Sequence, residues 1–211
     1  METRAIRCIL PHDRHVLITD GRVSCSQLQP ADPSSEGTVQ LISADGTAQE
    51  LTLTRLGEVL GFEFSSCLVF FHERDLREWL LASIDQQEFR HSRDLGFDHL
   101  IEEGRFIDSL SVRFVSDVIG HGLFITRDAM TDEFIGEYTG LVTSSTCQDP
   151  KSSEGSAYSV DYPSMTGGYA INAKDQGNLM RFINHSSSPN ARFICVTHED
   201  GLVHVVCVSI P

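Results

Sequence analysis

Cysteine pairs at metal-binding spacing are missing from this 211-residue sequence. Its six cysteines are scattered and form no Cys-x-x-Cys pair, the spacing that zinc clusters and redox motifs use. They are Cys8, Cys25, Cys67, Cys147, Cys195 and Cys207. We therefore expect free thiols in a reducing compartment and no metal centre.

Long hydrophobic runs are also missing. The longest, residues 67–71, is far shorter than the roughly 18–20 residues that cross a bilayer. The first ten residues include Glu2, Arg4 and Arg7, which leaves no room for the apolar stretch of a secretory signal. These absences predict an intracellular protein of the cytoplasm or nucleus, without a signal peptide or a membrane segment.

Positive charge is scarce. Lys and Arg number 16 against 30 Asp and Glu, which gives a formal net charge of −14, and only Lys151 and Lys174 are lysines. Because such a field repels phosphate and attracts cations, we expect no direct nucleic-acid contact and favour a Lys- or Arg-rich protein as partner. Acidity that serves only solubility is the alternative. The oligomeric state stays open.

The residues that are present predict a folded protein, mainly β with some α. Hydrophobic residues make up 40% and charged residues 22%, near the averages of globular chains. Three Asp-Gly pairs lie between β-type runs and predict hairpins. They are Asp20-Gly21, Asp45-Gly46 and Asp200-Gly201.

Residues 1–105 predict a small α+β region whose role the sequence leaves unknown. A short helix is expected over residues 54–60, with Thr52 or Thr54 as its N-cap and Gly61 at its end. Apolar residues at helical spacing predict an amphipathic helix over residues 73–89. No catalytic spacing occurs in this region.

Residues 106–211 predict a β-rich domain with little regular helix. Short β-type runs alternate there with Gly, Pro and Ser, and residues 143–156 are predicted to form a loop, or a loop that carries one helical turn. The runs cover residues 111–115, 122–126, 134–138, 157–160, 169–172, 192–197 and 202–209.

Five motifs follow one another in this second half. They are Gly120-His121-Gly-Leu-Phe, Gly-Glu-Tyr138-Thr-Gly, Tyr158-Ser-Val-Asp, Ile-Asn-Ala followed by Gly-Asn, and Arg-Phe-Ile-Asn184-His185-Ser-x-x-Pro-Asn. In the last motif several polar side chains directly follow an apolar pair, and each would cost roughly 1–3 kcal/mol if buried unpaired. In this order, the motifs resemble the SET-domain protein lysine methyltransferases over about residues 110–211.

The resemblance implies a fold of small, β-clip-like sheets around a pseudoknot, with S-adenosylmethionine on one face and a lysine peptide on the other. Gly120 and His121 match positions whose backbone holds the methionine end of the cofactor. Asn184 and His185 match positions that contact its amine and adenine. Tyr138 and Tyr158 match tyrosines that line the lysine channel, and Tyr158 also borders the cofactor.

The reaction implied is direct displacement, in which a neutral lysine amine attacks the methyl carbon of a sulfonium. No metal is required. The substrate implied is a basic protein such as a histone or histone-like protein, which agrees with the acidic charge of the chain.

Three departures from the family pattern limit the resemblance. The usual Asn-His-Ser-Cys is Asn-His-Ser186-Ser187 here, and no cysteine cluster precedes residue 110, so zinc-bearing flanks are not expected. The sequence also ends at Pro211, where family members continue to an Asp-Tyr pair with a principal catalytic tyrosine. We expect a SET domain cut short before its final catalytic motif, with a degenerate copy as the alternative.

Two functional hypotheses follow. The first is a lysine methyltransferase of the compact form without zinc flanks, as in SET proteins of intracellular bacteria or in a eukaryotic chromatin enzyme. The second is a SET-like binding or scaffold module that has lost turnover. The target lysine and the degree of methylation are not encoded in any motif identified above.

Overall fold

The computed structural model describes residues 8–10, 14–19, 22–27, 37–70, 89–144, 157–162, 168–198 and 203–211. Strands dominate these residues, and the helices among them are short. This confirms the predicted fold class, mainly β with some α in small sheets.

The strands of the described residues are numbered β1 to β16 in chain order. Their bounds are β1 Cys8–Leu10, β2 Arg14–Thr19, β3 Arg22–Gln27, β4 Thr38–Ile42, β5 Ala48–Thr52, β6 Glu63–Phe64, β7 Leu68–Val69, β8 Arg90–His91, β9 Leu110–Ser116, β10 Gly120–Ile125, β11 Phe134–Glu137, β12 Gly140–Ser144, β13 Ser159–Tyr162, β14 Tyr169–Gly177, β15 Ala191–Thr197 and β16 Val203–Ser209. The helices are α1 Leu53–Leu60, α2 Ser92–Leu95 and α3 Asp98–Glu102, with a 3-10 helix at Leu179–Phe182.

The largest sheet joins the beginning of the chain to its second half. Its order is β13-β14-β12-β7-β1-β2-β3, and β6 pairs with the end of β14. The two-residue strand β7 lies parallel to both β1 and β12. The first three strands therefore reach the rest of the sheet through β7.

Two four-stranded sheets complete the fold, in the orders β10-β9-β4-β5 and β11-β16-β15-β8. In the first, β4 lies parallel to β9, and in the second, β8 lies parallel to β15. Every sheet thus combines strands from before residue 106 with strands from after it. The domain boundary at 105/106 stays a prediction, and the backbone hydrogen bonds of all three sheets extend across it.

The main hydrophobic core mixes side chains of both halves in the same way. Leu56 of α1 and Phe70 are fully buried together with Val112, Ile171 and Met180. A smaller apolar cluster packs α3 against the third sheet. It contains Phe97, Ile101, Phe134, Val196, Val206 and Val208.

Antiparallel strands flank all three Asp-Gly pairs, as predicted. At the middle pair the backbone N–H of Thr47 donates to Asp45 Oδ1 at 2.9 Å, and Gly46 has a φ of 82°. That left-handed conformation is the reason for glycine in this turn. The first and third pairs themselves lie outside the described residues.

Helix α1 confirms the predicted helix and both of its ends. It begins one residue earlier than expected, at Leu53, after Thr52 Oγ1 accepts a hydrogen bond from the N–H of Arg55 at 3.2 Å. It ends at Gly61, whose φ of 76° is the left-handed cap that glycine favours. Leu53 and Leu56 face the core.

Other expectations differ from the structure in detail. Almost all of the helix predicted over residues 73–89 lies outside the described residues, as do residues 145–156 of the predicted loop. Its first two residues, 143 and 144, belong to β12 instead, which was not predicted. The run predicted over 169–172 continues as β14 to Gly177, because pairing with neighbouring strands outweighs the weak strand preference of its polar residues. Helices α2 and α3 were not predicted, since four or five residues are too few for a helical period to show.

Candidate active site

The turn between β9 and β10 brings a glycine motif close to a distant amide. Gly120 has a φ of 76°, and the register of the hairpin shifts between Gly120 and His121. A Cβ on Gly122 would lie 3.1 Å from Nδ2 of Asn184 and equally close to the side chain of Val115. Glycine at this position therefore allows the segment of Asn184 to approach the strand.

Asn184 is tied to this turn by a hydrogen bond. Its Nδ2 donates to the backbone carbonyl of His121 at 3.2 Å, across 63 positions of sequence. The imidazole of His121 meets Phe114 and Phe182 edge-on, with ring centroids 5.7 and 6.4 Å away. Burial lowers the pKa of His121 below its usual value, so the imidazole is neutral at pH 7.

His185 and the residues after it are exposed. The Oγ of Ser186 accepts a hydrogen bond from the N–H of Ser188 at 3.1 Å, which bends the chain after the Asn-His pair. The structure thus places His185 beside Asn184 and open to solvent. The contact expected between His185 and a cofactor stays a prediction.

The two predicted channel tyrosines are joined directly. Tyr138 is buried at the end of β11, and its hydroxyl donates to the backbone carbonyl of Tyr158 at 2.6 Å. The ring of Phe193 meets that of Tyr138 edge-on, with centroids 5.5 Å apart. Burial raises the pKa of the Tyr138 phenol well above its usual value, so the hydroxyl stays protonated.

Arg181 is a site residue that the sequence interpretation missed. Its guanidinium carbon lies 4.2 Å from the ring centroid of Phe62, 4.5 Å from that of Tyr158 and 5.0 Å from that of Phe182. Its Nε and Nη2 donate to the carbonyls of Ala173 and Lys174, each at 2.8 Å. Burial lowers the pKa of Arg181, although an arginine keeps its charge at any physiological pH.

The same residue connects the two groups of predicted site residues. The ring of Phe182 contacts both the imidazole of His121 and the guanidinium of Arg181. Arg181 in turn contacts Tyr158. The sequence contained two signals that could have identified Arg181 as a site residue. Arg181 is the first residue of the Asn-His motif, and the next residue of the motif is the aromatic Phe182.

Glycines hold the neighbouring backbone at close distance. A Cβ on Gly140, the last residue of the Tyr-x-Gly motif, would lie 2.6 Å from the carbonyl oxygen of Asn172. The buried amide of Asn178 donates from Nδ2 to the carbonyl of Glu137 at 2.7 Å and accepts from the N–H of Met180 at 3.0 Å. These contacts fix the 3-10 helix, and with it Arg181, against β11.

A second buried polar pair lies at the end of β11, next to Tyr138. Oε1 of Glu137 and Nδ1 of His204 are 2.7 Å apart, and both residues are buried. Side chains alternate across a strand, so Glu137 projects to the face opposite Tyr138. The pair belongs to the packing of β11 on β16.

An open groove of about 660 Å³ lies beside Phe62. Three of the residues that line it are carboxylates, Glu58, Glu63 and Asp175.

Within the described segments, no group of three or more His, Cys, Asp or Glu residues is placed to hold a metal ion. No helix in the described part of the chain is long and apolar enough to span a membrane.

Comparison with known proteins agrees with the motifs. Residues 120–211 match the SET domain family, a stretch that contains every predicted site residue. This match over residues 120–211 confirms the resemblance inferred from the motifs in this part of the chain.

Two relatives of this chain are histone-lysine methyltransferases. Histone-lysine N-methyltransferase 2B of Homo sapiens is 33% identical over 97 residues, which are 45% of this chain and 4% of the relative. Histone-lysine N-methyltransferase EZA1 of Arabidopsis thaliana is 30% identical over 95 residues, covering 41% of this chain and 11% of the relative. The chain therefore spans only a small part of these proteins.

Two solved structures resemble part of the chain. The first is KRYPTONITE in complex with mCHH DNA, an H3(1-15) peptide and SAH, with a TM-score of 0.41 and 24% identity, covering 50% of this chain and 21% of that one. The second is Arabidopsis thaliana SUVH6 in complex with SAM, with a TM-score of 0.40 and 23% identity, covering 47% of this chain and 25% of that one.

Proposed function

We propose that the protein is an S-adenosylmethionine-dependent protein-lysine N-methyltransferase that acts on a basic protein such as a histone. The observation that carries this proposal is the hydrogen bond from Asn184 to the carbonyl of His121. It brings together the two motifs expected to hold the methyl donor. The family of residues 120–211 gives the proposal its reaction class.

The residues of the turn fit the donor by their chemistry. The carbonyl of His121 and Oδ1 of Asn184 are acceptors for an ammonium group, and nothing lies within 4 Å of the position where Gly120 would carry a Cβ. Phe114 and Phe182 supply apolar surface on either side of His121. The donor, when bound, supplies a methyl group activated by a positively charged sulfur.

The tyrosine pair is suited to orienting an amine. The Tyr138 hydroxyl is held by the Tyr158 carbonyl and keeps its lone pairs as acceptors for an N–H of the incoming lysine. In-line displacement requires the amine nitrogen to be neutral and aligned with the methyl carbon. Tyr138 and Tyr158 would supply the alignment.

Charge supports a basic substrate. The formal net charge is −14, and Glu58, Glu63 and Asp175 line the groove beside Phe62, which contacts Arg181 near the tyrosines. Such a field favours a Lys-rich protein and disfavours direct contact with nucleic acid. A histone substrate would place the protein at chromatin.

The proposal is tested with the Asn184→Ala variant. Titration calorimetry should show that the protein binds S-adenosylmethionine, and that Asn184→Ala loses at least tenfold in affinity. The reason is that the amide holds the His121 turn and contacts the donor, while its exposure makes it dispensable for the core. Transfer of a labelled methyl group to a histone should fall in parallel.

Gln49→Ala is the matched control, since it removes an exposed amide from β5, which lies at the edge of the sheet opposite to β10 and the His121 turn. It should bind the donor like the unchanged protein. Retained affinity in Asn184→Ala, or loss of its circular dichroism, would contradict the assignment. Donor binding without any methyl transfer would favour the binding-module hypothesis instead.

A further inference from the structure

Arg181 is a half-buried cation at the edge of the predicted lysine channel. Its guanidinium contacts the ring of Tyr158, whose carbonyl accepts the hydrogen bond of the Tyr138 hydroxyl. The ring of Phe62, from the N-terminal half of the chain, contacts the same guanidinium. Water is displaced from these sides of the charge, so its field is less screened than that of a surface arginine.

The hydrogen bonds of Arg181 hold its charge without cancelling it. Both acceptors, the carbonyls of Ala173 and Lys174, are neutral, and they use the Nε and Nη2 donors in a fixed fork. The field reaches the channel, because the positive charge of Arg181 opposes the rise that burial causes in the pKa of Tyr138. Any titratable group brought to the Tyr138 hydroxyl would experience the same field.

We propose that the fixed positive charge of Arg181 makes the channel select the neutral amine of the substrate lysine over its ammonium form. The inference rests on the proposed methyltransferase function and adds a step to it. The ammonium first releases its proton to solvent. The nitrogen lone pair then forms the N–C bond, while the electron pair of the broken C–S bond stays on sulfur.

The expected size of the effect follows from Coulomb's law. A unit charge on the order of 10 Å away, in an effective dielectric of about 20, lowers the pKa of an amine by about one unit. A lysine with a usual pKa near 10.4 is almost fully protonated at pH 8. A shift of about one unit therefore raises the reactive fraction about tenfold.

Other charged groups lie near Arg181, and each of them either opposes the electric field of its guanidinium or leaves that field unchanged. Asp175 on β14 is exposed and interacts electrostatically with Arg181. Near Phe62, Glu63 accepts a hydrogen bond from Gln176, and Glu58 pairs with Arg55.

Two titratable groups near Arg181, His121 and Tyr138, are uncharged under assay conditions. His121, next to Phe182, is neutral at pH 7 because burial lowers its pKa. The phenol of Tyr138 stays protonated, and Tyr158 contacts the guanidinium with its ring. Glu137, the neighbour of Tyr138, forms its contact with His204 on the opposite face of β11.

The test compares Arg181→Met, which removes the charge, with Arg181→Lys, which keeps it but loses the fork. Single-turnover methyl transfer to a lysine peptide is measured between about pH 7 and pH 10.5. Arg181→Met should move the rising limb upward by about one pH unit, with about tenfold lower rate at pH 8 and recovery near pH 10. Arg181→Lys should keep the limb in place. A loss in Arg181→Met that is equal at every pH would overturn the proposal.

A second measurement does not depend on turnover. The ε-carbon of the peptide lysine is labelled with 13C, and its chemical shift is followed against pH in the complex with each protein. The bound amine should titrate lower than the free one, and Arg181→Met should reverse most of that difference. A bound amine that titrates as the free peptide does would also overturn the proposal.

Asp175→Asn provides a variant that keeps the core intact, and it decides the question if Arg181→Met does not fold. Removing this exposed carboxylate strengthens the field of Arg181, so the rising limb should move downward by a few tenths of a pH unit. Asp94→Asn removes the same charge from an exposed position on α2, near the third sheet, and should leave the limb unchanged. No shift in Asp175→Asn, or an equal shift in both, would overturn the inference. Absence of methyl transfer by the unchanged protein would overturn the proposed function itself.

Discussion

The hydroxyl of Tyr138 has a structural partner and, in the proposed reaction, a chemical one. Its hydrogen bond to the Tyr158 carbonyl joins the end of β11 to the residue before β13, 20 positions later in the sequence. Because burial raises the pKa of the phenol, the hydroxyl remains a donor at higher pH than that of an ordinary tyrosine. Single residues in this site therefore contribute to stability and to geometry together.

Tyr138→Phe separates these two contributions. It should reduce methyl transfer at least tenfold, because the amine loses an oriented acceptor, and reduce the free energy of unfolding by about 0.5–1.5 kcal/mol. Tyr162→Phe is the matched control, since its buried hydroxyl accepts a hydrogen bond from the N–H of Val203 at 3.2 Å. It should show a similar loss of stability in urea with normal transfer. Equal losses of transfer in the two variants would contradict the role of Tyr138.

Not every residue of the site could be found from the sequence. The resemblance identified Gly120, His121 and Asn184 as site residues, and Gly122 allows the side chain of Asn184 to approach this strand. The contact between Arg181 and Phe62 could not be predicted, because Phe62 belongs to a part of the sequence without any recognised motif. Local patterns identify the motif residues, whereas a cation–aromatic contact between distant segments depends on the completed fold.

At the scale of elements, β11 carries a different buried group on each of its faces. Tyr138, just after the strand, donates its hydroxyl to the carbonyl of Tyr158, and Glu137 contacts His204 of β16 at 2.7 Å. Asn178 bonds to the carbonyl of Glu137 and thereby docks the 3-10 helix of Arg181 on the same strand. The position of β11 is thus coupled to both sides of the site.

Replacing Glu137 tests how much the buried pair contributes. Glu137→Leu should lower the free energy of unfolding by about 3 kcal/mol or more, because His204 keeps a buried polar group without its carboxylate. Glu137→Gln retains an acceptor oxygen and should lose about 1 kcal/mol. Urea denaturation followed by fluorescence measures both. Equal losses would show that the hydrogen bond contributes little.

Elements with a local signal were predicted well, and those without one were not. The cap residues Thr52 and Gly61 define α1 in the sequence and in the structure. In contrast, the two-residue strands β7 and β8 exist because each has a parallel partner elsewhere in the chain. A segment of two residues has no period of its own, so only the tertiary structure can identify it.

At the scale of the whole molecule, the net charge of −14 is the feature whose electrostatic effect extends furthest from the surface. Attraction between this charge and a polycationic substrate is screened over about 8–10 Å at physiological ionic strength. The attraction acts before any contact forms. It should therefore affect encounter with the substrate more than the methyl-transfer step.

Salt should consequently distinguish two kinds of substrate. Methyl transfer to a Lys-rich protein should fall severalfold between low and high ionic strength, whereas transfer to a short, nearly neutral peptide with one lysine should barely change. Both are measured in one buffer series with saturating methyl donor. A parallel decline for the two substrates would show that the acidic surface does not guide substrate binding.

The three sheets that extend across residue 106 also determine when the protein can fold during its synthesis. Strands β4, β7 and β8 leave the ribosome early, yet their partners β9, β12 and β15 are made much later. The third sheet further needs β16, near the end of this sequence. Pairings between such distant segments form slowly, because the entropy cost of closing a long loop comes before the stabilising contacts that offset it. The nascent chain must keep its early strands from pairing with other chains until translation has delivered their partners.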